Sequence, residues 1–227
     1  MEYVIPAPPV SSLAVEGVSG RFPVRRIYCM GRNVAEHARE MGHDPTQPPF
    51  VFMKPADTIV ADGGDFPYPS QTTEVHHEVE LVVALGAGGV DVPAERALDL
   101  VYGYAVGIDM TRRDLQLQAK EMRRPWEVGK SFDASAPCSP IRRASDIGHP
   151  SRGVISLDVN GTPRQRGDLA DLMWKTPQII AHLSTLFELA PGDLIYTGTP
   201  PGVNLVNRGD VLTGAIEGVG TLTVRVV

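Results

Sequence analysis

Val75-His76-His77-Glu78-Val79-Glu80-Leu81-Val82-Val83-Ala84-Leu85, closed by Gly86-Ala87-Gly88-Gly89, is the strongest strand signal in the chain and sets the reading of the rest. Toward the N-terminus, Val24 to Met30 reads as a strand ending at Gly31 and Phe50 to Met53 as a second. Between them lies a short helix, Val34 to Met41, with Asn33 as its cap and Gly42 as its stop. His43 to Pro49 reads as a Pro-containing loop, and Asp57 to Ser70 as loop and turn. Toward the C-terminus, Ala94 to Leu100 fits a short helix, Val101 to Ile108 a strand running into Asp109, and Thr111 to Met122 a helix with Pro125 beyond its end. Short β segments follow: Val154 to Val159, a turn at Asn160-Gly161 and a strand toward Gln165, then strands around Leu194 to Thr197, Val211 to Ile216 and Thr221 to Val227. One helix, Thr176 to Phe187, interrupts them, with Pro177 suited to its first turn. Many strands, few helices and no βαβ alternation give an α+β fold and not a Rossmann fold. Residues 1–23 read as an N-terminal edge strand and loops, ahead of one domain spanning 24–227.

A chain of 227 residues suits one sizeable domain. The net charge of −6 and the lack of a basic stripe exclude a nucleic-acid surface, while isolated Arg pairs such as Arg112-Arg113 suit small anions. Two cysteines, Cys29 and Cys138, form no CxxC pair, so a reducing compartment is expected. No signal peptide or apolar run of membrane-spanning length is read, so the expected location is the cytoplasm, without a membrane partner.

Within the deciding strand, Glu78 and Glu80 lie two apart, which places them on one face roughly 6.6–7 Å apart. Two carboxylates on a strand that continues into buried apolar residues must take up protons or share a cation. Oxygen-only ligands suit Mg²⁺, Mn²⁺ or Ca²⁺ over zinc. Taken alone, the pair equally describes two solvated glutamates on a half-exposed strand. Asp109, at the end of the Tyr102 to Ile108 run, offers a third carboxylate at a buried strand end. Its local alternative is a cap for the helix beginning near Thr111. His76 shares the glutamates' face and His77 points away, and both suit supporting roles.

His37 and Glu40, three apart on a helix, can pair as a base and its orienting carboxylate, or lie solvated on a polar surface. Gly129-Lys130-Ser131 is no phosphate loop, since position 124 is Arg124, and Gly86-Ala87-Gly88 lacks a third dinucleotide glycine at Asp91. Lys130 reads as a cation aimed into a pocket, against the plain alternative of an exposed loop lysine. The Tyr196 to Val203 loop can present the Thr199 hydroxyl to an oxyanion, or be a tight turn.

In this order the segments Gly31-Arg32-Asn33 with His37 and Glu40, Phe52-Met53-Lys54-Pro55, Glu78-Val79-Glu80, Gly107-Ile108-Asp109-Met110-Thr111, Gly129-Lys130-Ser131-Phe132-Asp133 and Thr197-Gly198-Thr199-Pro200 resemble the fumarylacetoacetate hydrolase family. The resemblance runs from about Val24 to the C-terminus. The Asp109 to Gln116 and Pro125 to Lys130 stretches look like its bacterial fumarylpyruvate hydrolases of gentisate breakdown and their acylpyruvate hydrolase relatives. One departure is Val34, where members often carry Tyr, which bears on lid packing. The resemblance implies a mixed β-roll with peripheral short helices, a homodimer, and a Mg²⁺-dependent enzyme that hydrolyses a carbon–carbon bond in a small anionic diketo acid. It carries the metal ligands to Glu78, Glu80 and Asp109, the catalytic set to His37, Glu40 and Lys130, and binding of the pyruvoyl end to Arg113, Gln116 and Thr199. Decarboxylation of oxaloacetate and isomerisation of a similar diketo acid are the related alternatives. A non-catalytic metal- or ligand-binding protein is the alternative of a different class.

Overall fold

Alternate side chains of the Val79–Leu85 strand enter two different cores, which is why the run reads as unbroken apolar sequence. Leu81, Val83 and Leu85 face one side, and Val82 and Ala84 the other. The computed structural model of the protein describes residues 3–42, 44, 46–61 and 63–227, so His43 and Pro45 of the expected His43 to Pro49 loop lie outside the described residues.

The strands, in chain order, are β1 (Ser12–Val15), β2 (Val18–Pro23), β3 (Arg26–Gly31), β4 (Phe50–Lys54), β5 (Ile59–Ala61), β6 (Val75–His76), β7 (Val79–Leu85), β8 (Val101–Ile108), β9 (Thr111–Arg112), β10 (Ala136–Cys138), β11 (Arg142–Arg143), β12 (Val154–Val159), β13 (Thr162–Asp168), β14 (Asp193–Tyr196), β15 (Val211–Ile216) and β16 (Gly220–Arg225). The helices are α1 (Ala35–Glu40), α2 (Arg113–Glu121), α3 (Glu127–Lys130), α4 (Ala144–Ile147) and α5 (Thr176–Leu186).

An 8-stranded mixed sheet runs β4-β3-β14-β7-β8-β10-β5, with β11 also paired to β8, and a 4-stranded sheet runs β13-β12-β15-β16. The second sheet covers one face of the first, burying Leu157, Leu212 and Val224 together with Leu81, Val106 and the α5 residues Ile179 and Leu183. The β1–β2 hairpin covers the other face, where Leu13, Val15 and Phe22 meet Ile27, Ala84 and Tyr196. This is an α+β fold with a curled mixed sheet and few helices, as expected. Among the described residues no helix is long and apolar enough to cross a membrane.

The strands at β8, β12 and β15 keep the expected bounds. Asn160 and Gly161 both take positive φ (52° and 74°), the geometry of a tight hairpin turn. Four local expectations are corrected. The Val75 to Leu85 strand breaks at His77-Glu78, because β6 leaves the main sheet to pair with β9. Asn33 does not cap α1. Its amide donates to Trp174 O at 2.9 Å and Thr197 O at 2.8 Å, and the cap position, Val34, makes no side-chain bond. The Asp57 to Ser70 loop contains β5, which runs parallel to β10. The second long helix begins at Arg113 rather than Thr111, because Thr111 and Arg112 are held in β9.

Candidate active site

The break in the deciding strand is what gathers the chemistry. β7 and β8 are antiparallel, and past Val79 and Ile108 both leave the sheet together, joined by Asp109 N–H donating to Glu78 O at 2.8 Å. Asp109, Glu78 and Glu80 therefore converge at one sheet end. One carboxylate oxygen from each lies within 4.8 Å of the others, and the residues are 0%, 5% and 3% exposed. Gly107, two residues before Asp109, keeps the approach close: a Cβ there would meet the Tyr196 ring and Val82 at 2.5 Å.

Three cations reach this cluster from three elements. Lys130, on α3, donates to Glu78 Oε2 at 2.8 Å, Asp109 Oδ2 at 2.6 Å and Thr111 Oγ1 at 2.7 Å. Lys54, at the end of β4, lies 2.8 Å from Asp109 Oδ1, close enough for ion pairing, while its hydrogen bonds go to the carbonyls of Met110 and Lys130. Arg113, opening α2, pairs with Glu78 Oε1 and donates to Gln116 Oε1 at 2.5 Å.

Compensation is uneven. Burial pushes the Glu78 carboxyl upward, but Lys130 and Arg113 outweigh it and hold the group well below the usual range. For Lys130 burial works to lower the pKa, and Asp109 and Glu78 override it. Glu80 is pushed well above the usual range by burial and by its neighbours Asp109 and Glu78. Among the described residues its hydrogen-bond partner is the Gly198 N–H, which donates to Oε2 at 2.7 Å. Lys130 pulls the other way but does not offset burial and the two carboxylates, and a buried carboxylate so placed needs a proton or a metal ion. The all-oxygen donor set fits a hard divalent cation and gives zinc none of its preferred nitrogen or sulfur ligands.

His37 and Glu40 sit on α1, with His37 Nδ1 3.0 Å from Glu40 Oε2. A carboxylate accepts, so the proton belongs on Nδ1 and Nε2 carries the lone pair. The imidazole lines the same cavity as Glu78, Glu80, Asp109, Arg113, Gln116, Lys130 and Thr199. Glu40 stands behind the imidazole, its second oxygen accepting the Gly202 N–H at 2.9 Å. All nine candidate residues thus belong to one assembly. His76 lies beside Arg113, with 3.5 Å between Arg113 Nε and His76 Nδ1, while His77 points into the interior. Burial, reinforced by Arg113, lowers the His76 pKa to about 4.

Two members were not singled out from the sequence. Lys54 falls inside the quoted Phe52-Met53-Lys54-Pro55 segment, so the signal was present. Gln165 gave none: it is the single buried residue of the polar strand β13. Its Nε2 donates to Thr199 Oγ1 and Pro200 O, both at 2.8 Å, and its Oε1 accepts from His77 Nδ1 at 2.8 Å and Val79 N at 3.1 Å.

Residues 26–227 match the fumarylacetoacetate (FAA) hydrolase C-terminal family. A fumarylpyruvate hydrolase of Ralstonia is 44% identical over 177 residues, covering 78% of this chain and 92% of its own. An oxaloacetate tautomerase of Escherichia coli is 39% identical over 206 residues, covering 90% of this chain and 94% of its own. The crystal structure of a fumarylpyruvate hydrolase from Pseudomonas aeruginosa, in complex with Mn²⁺ and pyruvate, superposes with a TM-score of 0.97 at 52% identity, covering 100% of this chain and 99% of that one.

Proposed function

This chain belongs to the fumarylacetoacetate hydrolase family, and on that premise we propose that it is a divalent-metal-dependent hydrolase of acylpyruvates, cleaving fumarylpyruvate to fumarate and pyruvate. The observation that carries the reading is the pairing of two features in one cavity: a buried carboxylate cluster whose member Glu80 has no ion pair among the described residues, and an imidazole whose Nδ1 is taken by Glu40.

In this reading Glu78, Glu80 and Asp109 hold Mg²⁺ or Mn²⁺, with Ca²⁺ as a further candidate, and the ion supplies Lewis acidity to the pyruvoyl oxygens. Three carboxylates are matched by Lys54, Lys130 and Arg113, so a divalent ion leaves an excess of two positive charges. That excess complements a doubly negative substrate. Arg113, Gln116 and Thr199 bind the pyruvoyl carboxylate. His37 Nε2 takes a proton from water as the oxygen attacks the distal acyl carbonyl, with Glu40 stabilising the imidazolium. The carbon–carbon bond then breaks, its electron pair passing to the pyruvate fragment as an enolate. The Lys130 ammonium balances that charge until the proton taken up by His37 is returned to the enolate carbon, directly or through solvent, which restores the neutral imidazole. A homodimer working in the cytoplasm, in aromatic-compound breakdown such as the gentisate route, completes the proposal.

A second reading, interconversion or decarboxylation of oxaloacetate, is favoured by the Escherichia coli relative, and it uses the same cluster without an attacking water. The test is a panel of acylpyruvates and oxaloacetate assayed with Mg²⁺ and with Mn²⁺, following diketo absorbance and pyruvate release. The hydrolase reading expects stoichiometric pyruvate from an acylpyruvate, lost on exhaustive chelation and restored by Mn²⁺. Turnover that survives chelation removes the metal, and activity confined to oxaloacetate replaces the hydrolase with the second reading.

A further inference from the structure

The cavity wall away from the carboxylates has its own charge. Phe52 and Phe50 stand side by side on β4, with ring centroids 6.4 Å apart, and Trp126 meets Phe50 edge-on at 4.9 Å. Lys130 Nζ lies over Phe52 at 5.1 Å, at the end of this wall that joins the carboxylate cluster. Arg32 lies over Phe50 at 5.4 Å, at its other end. The apolar strip is thus bracketed by two cations, and only one of them is spent on the cluster.

Arg32 is held in place at a conformational cost. It takes φ of 61°, a left-handed backbone that side-chain-bearing residues rarely adopt. The preceding Gly31 is what lets the Phe50 ring close over the chain, since a Cβ there would stand 2.4 Å from Phe50 Cζ. Arg32 Nε is buried without a hydrogen-bond partner. Among the described residues no carboxylate lies within ion-pairing distance of it. Lys120 lines the same cavity, one turn beyond Gln116 on α2. Burial lowers the Lys120 pKa, and Arg32 and Arg113 lower it further, so these three cations feel one another across the cavity. An orphaned guanidinium nitrogen lining the cavity is a receptor for an anion.

We propose that Arg32 is the specificity-determining residue for a carboxylate at the distal end of the acyl group. The inference rests on the acylpyruvate reading above, and it names the residue that discriminates fumarylpyruvate from acylpyruvates lacking the distal carboxylate. Phe50 and Phe52 flank the short carbon chain between the two charged ends, and the planar guanidinium accepts the carboxylate as its counterion.

The test has a kinetic arm and a binding arm. In the first, kcat/KM is measured for fumarylpyruvate, which carries the distal carboxylate, and for acetylpyruvate, which lacks it, in wild type, Arg32→Gln and Arg32→Lys. The expected result is a wild-type preference for fumarylpyruvate that shrinks roughly 10- to 100-fold in Arg32→Gln, the worth of a charge-assisted bond, and recovers in part in Arg32→Lys. In the second arm, calorimetry on Mn²⁺-loaded protein compares fumarate with crotonate, whose methyl replaces one carboxylate. Wild type should bind fumarate at least about 10-fold more tightly, and Arg32→Gln should lose that margin. A wild type without preference, or a preference intact in Arg32→Gln, overturns the proposal. Should wild type hydrolyse neither substrate, the catalytic reading falls while the binding arm still decides Arg32. Thermal melts of both variants exclude misfolding as the cause.

Discussion

Gly202 donates its backbone N–H to Glu40 Oε1 at 2.9 Å, which fastens the loop carrying Thr199 to the helix carrying His37. Gly202 takes φ of 97°, and a Cβ there would stand 2.1 Å from Arg164 O. Gly202→Ala must therefore displace the loop, and Glu40 loses the bond that sets its angle. An ångström-scale misplacement of catalytic groups costs up to about 100-fold. The expected outcome is a kcat reduced by roughly 10- to 100-fold with metal affinity near wild type, read by steady-state kinetics and Mn²⁺ calorimetry. A wild-type kcat would show that the loop does not position the imidazole.

Gln165 joins β13, the Thr199 loop and the strand break through four hydrogen bonds. Because its amide nitrogen donates to Thr199 Oγ1, the threonine proton is free to turn into the cavity. Gln165→Leu strands the His77 and Val79 N–H groups and the Pro200 carbonyl in the interior, at about 1–3 kcal/mol for each unpaired group. Unfolding in urea should show a loss of about 2 kcal/mol or more, and KM should rise more than kcat falls if Thr199 binds substrate. Unchanged stability would contradict the network.

How far the chain could be read follows from where each segment's partners lie. β8, β12 and β15 were legible at their ends because alternation and turn residues are local properties. β10 was not, being three residues long with Pro137 at its centre, held by pairing with the distant β5. The break at His77-Glu78 was equally hidden, since Gln165 and Asn204 hold His77 from far along the chain. Asn33 has the composition of a cap, yet its amide is taken by Trp174 and Thr197. The carboxylates and the His37–Glu40 pair were visible as spaced residue types. Their convergence was not in the spacing; the order of the quoted segments implied it. Gln165 acts through contacts that no local pattern encodes, whereas Lys54 lay inside a quoted segment.

Glu80 gives a pH prediction for the metal-free protein. Its folded pKa lies well above the ordinary 4.5, so the stability tied to its proton is present below pH 4.5 and is lost as pH rises through the folded value. Glu80→Gln keeps a neutral side chain at every pH. The melting temperature of metal-free Glu80→Gln should therefore exceed that of metal-free wild type by a margin that grows from pH 5 to pH 8. Saturating Mn²⁺ should reverse the order, because only wild type keeps the third carboxylate for the ion. Parallel melting curves across that pH range, with and without Mn²⁺, would contradict the assignment of Glu80.

His37 supplies the sharpest contrast between the two candidate reactions. Its Nδ1 is committed to Glu40, which leaves Nε2 as the candidate base, on a ring that lines the cavity holding the carboxylate cluster. If that atom activates water, His37→Ala should lower kcat for fumarylpyruvate by roughly 10²- to 10⁴-fold, the usual worth of general acid–base catalysis. Metal affinity should stay near wild type, since the imidazole is not among the three converging carboxylates. Oxaloacetate decarboxylation uses no attacking water and should fall much less in the same preparation. General unfolding would depress both reactions alike, so the ratio of the two rates separates lost chemistry from lost structure. Hydrolysis persisting near the wild-type rate would remove His37 as the base and pass that role to Lys130 or to water activated at the carboxylate cluster.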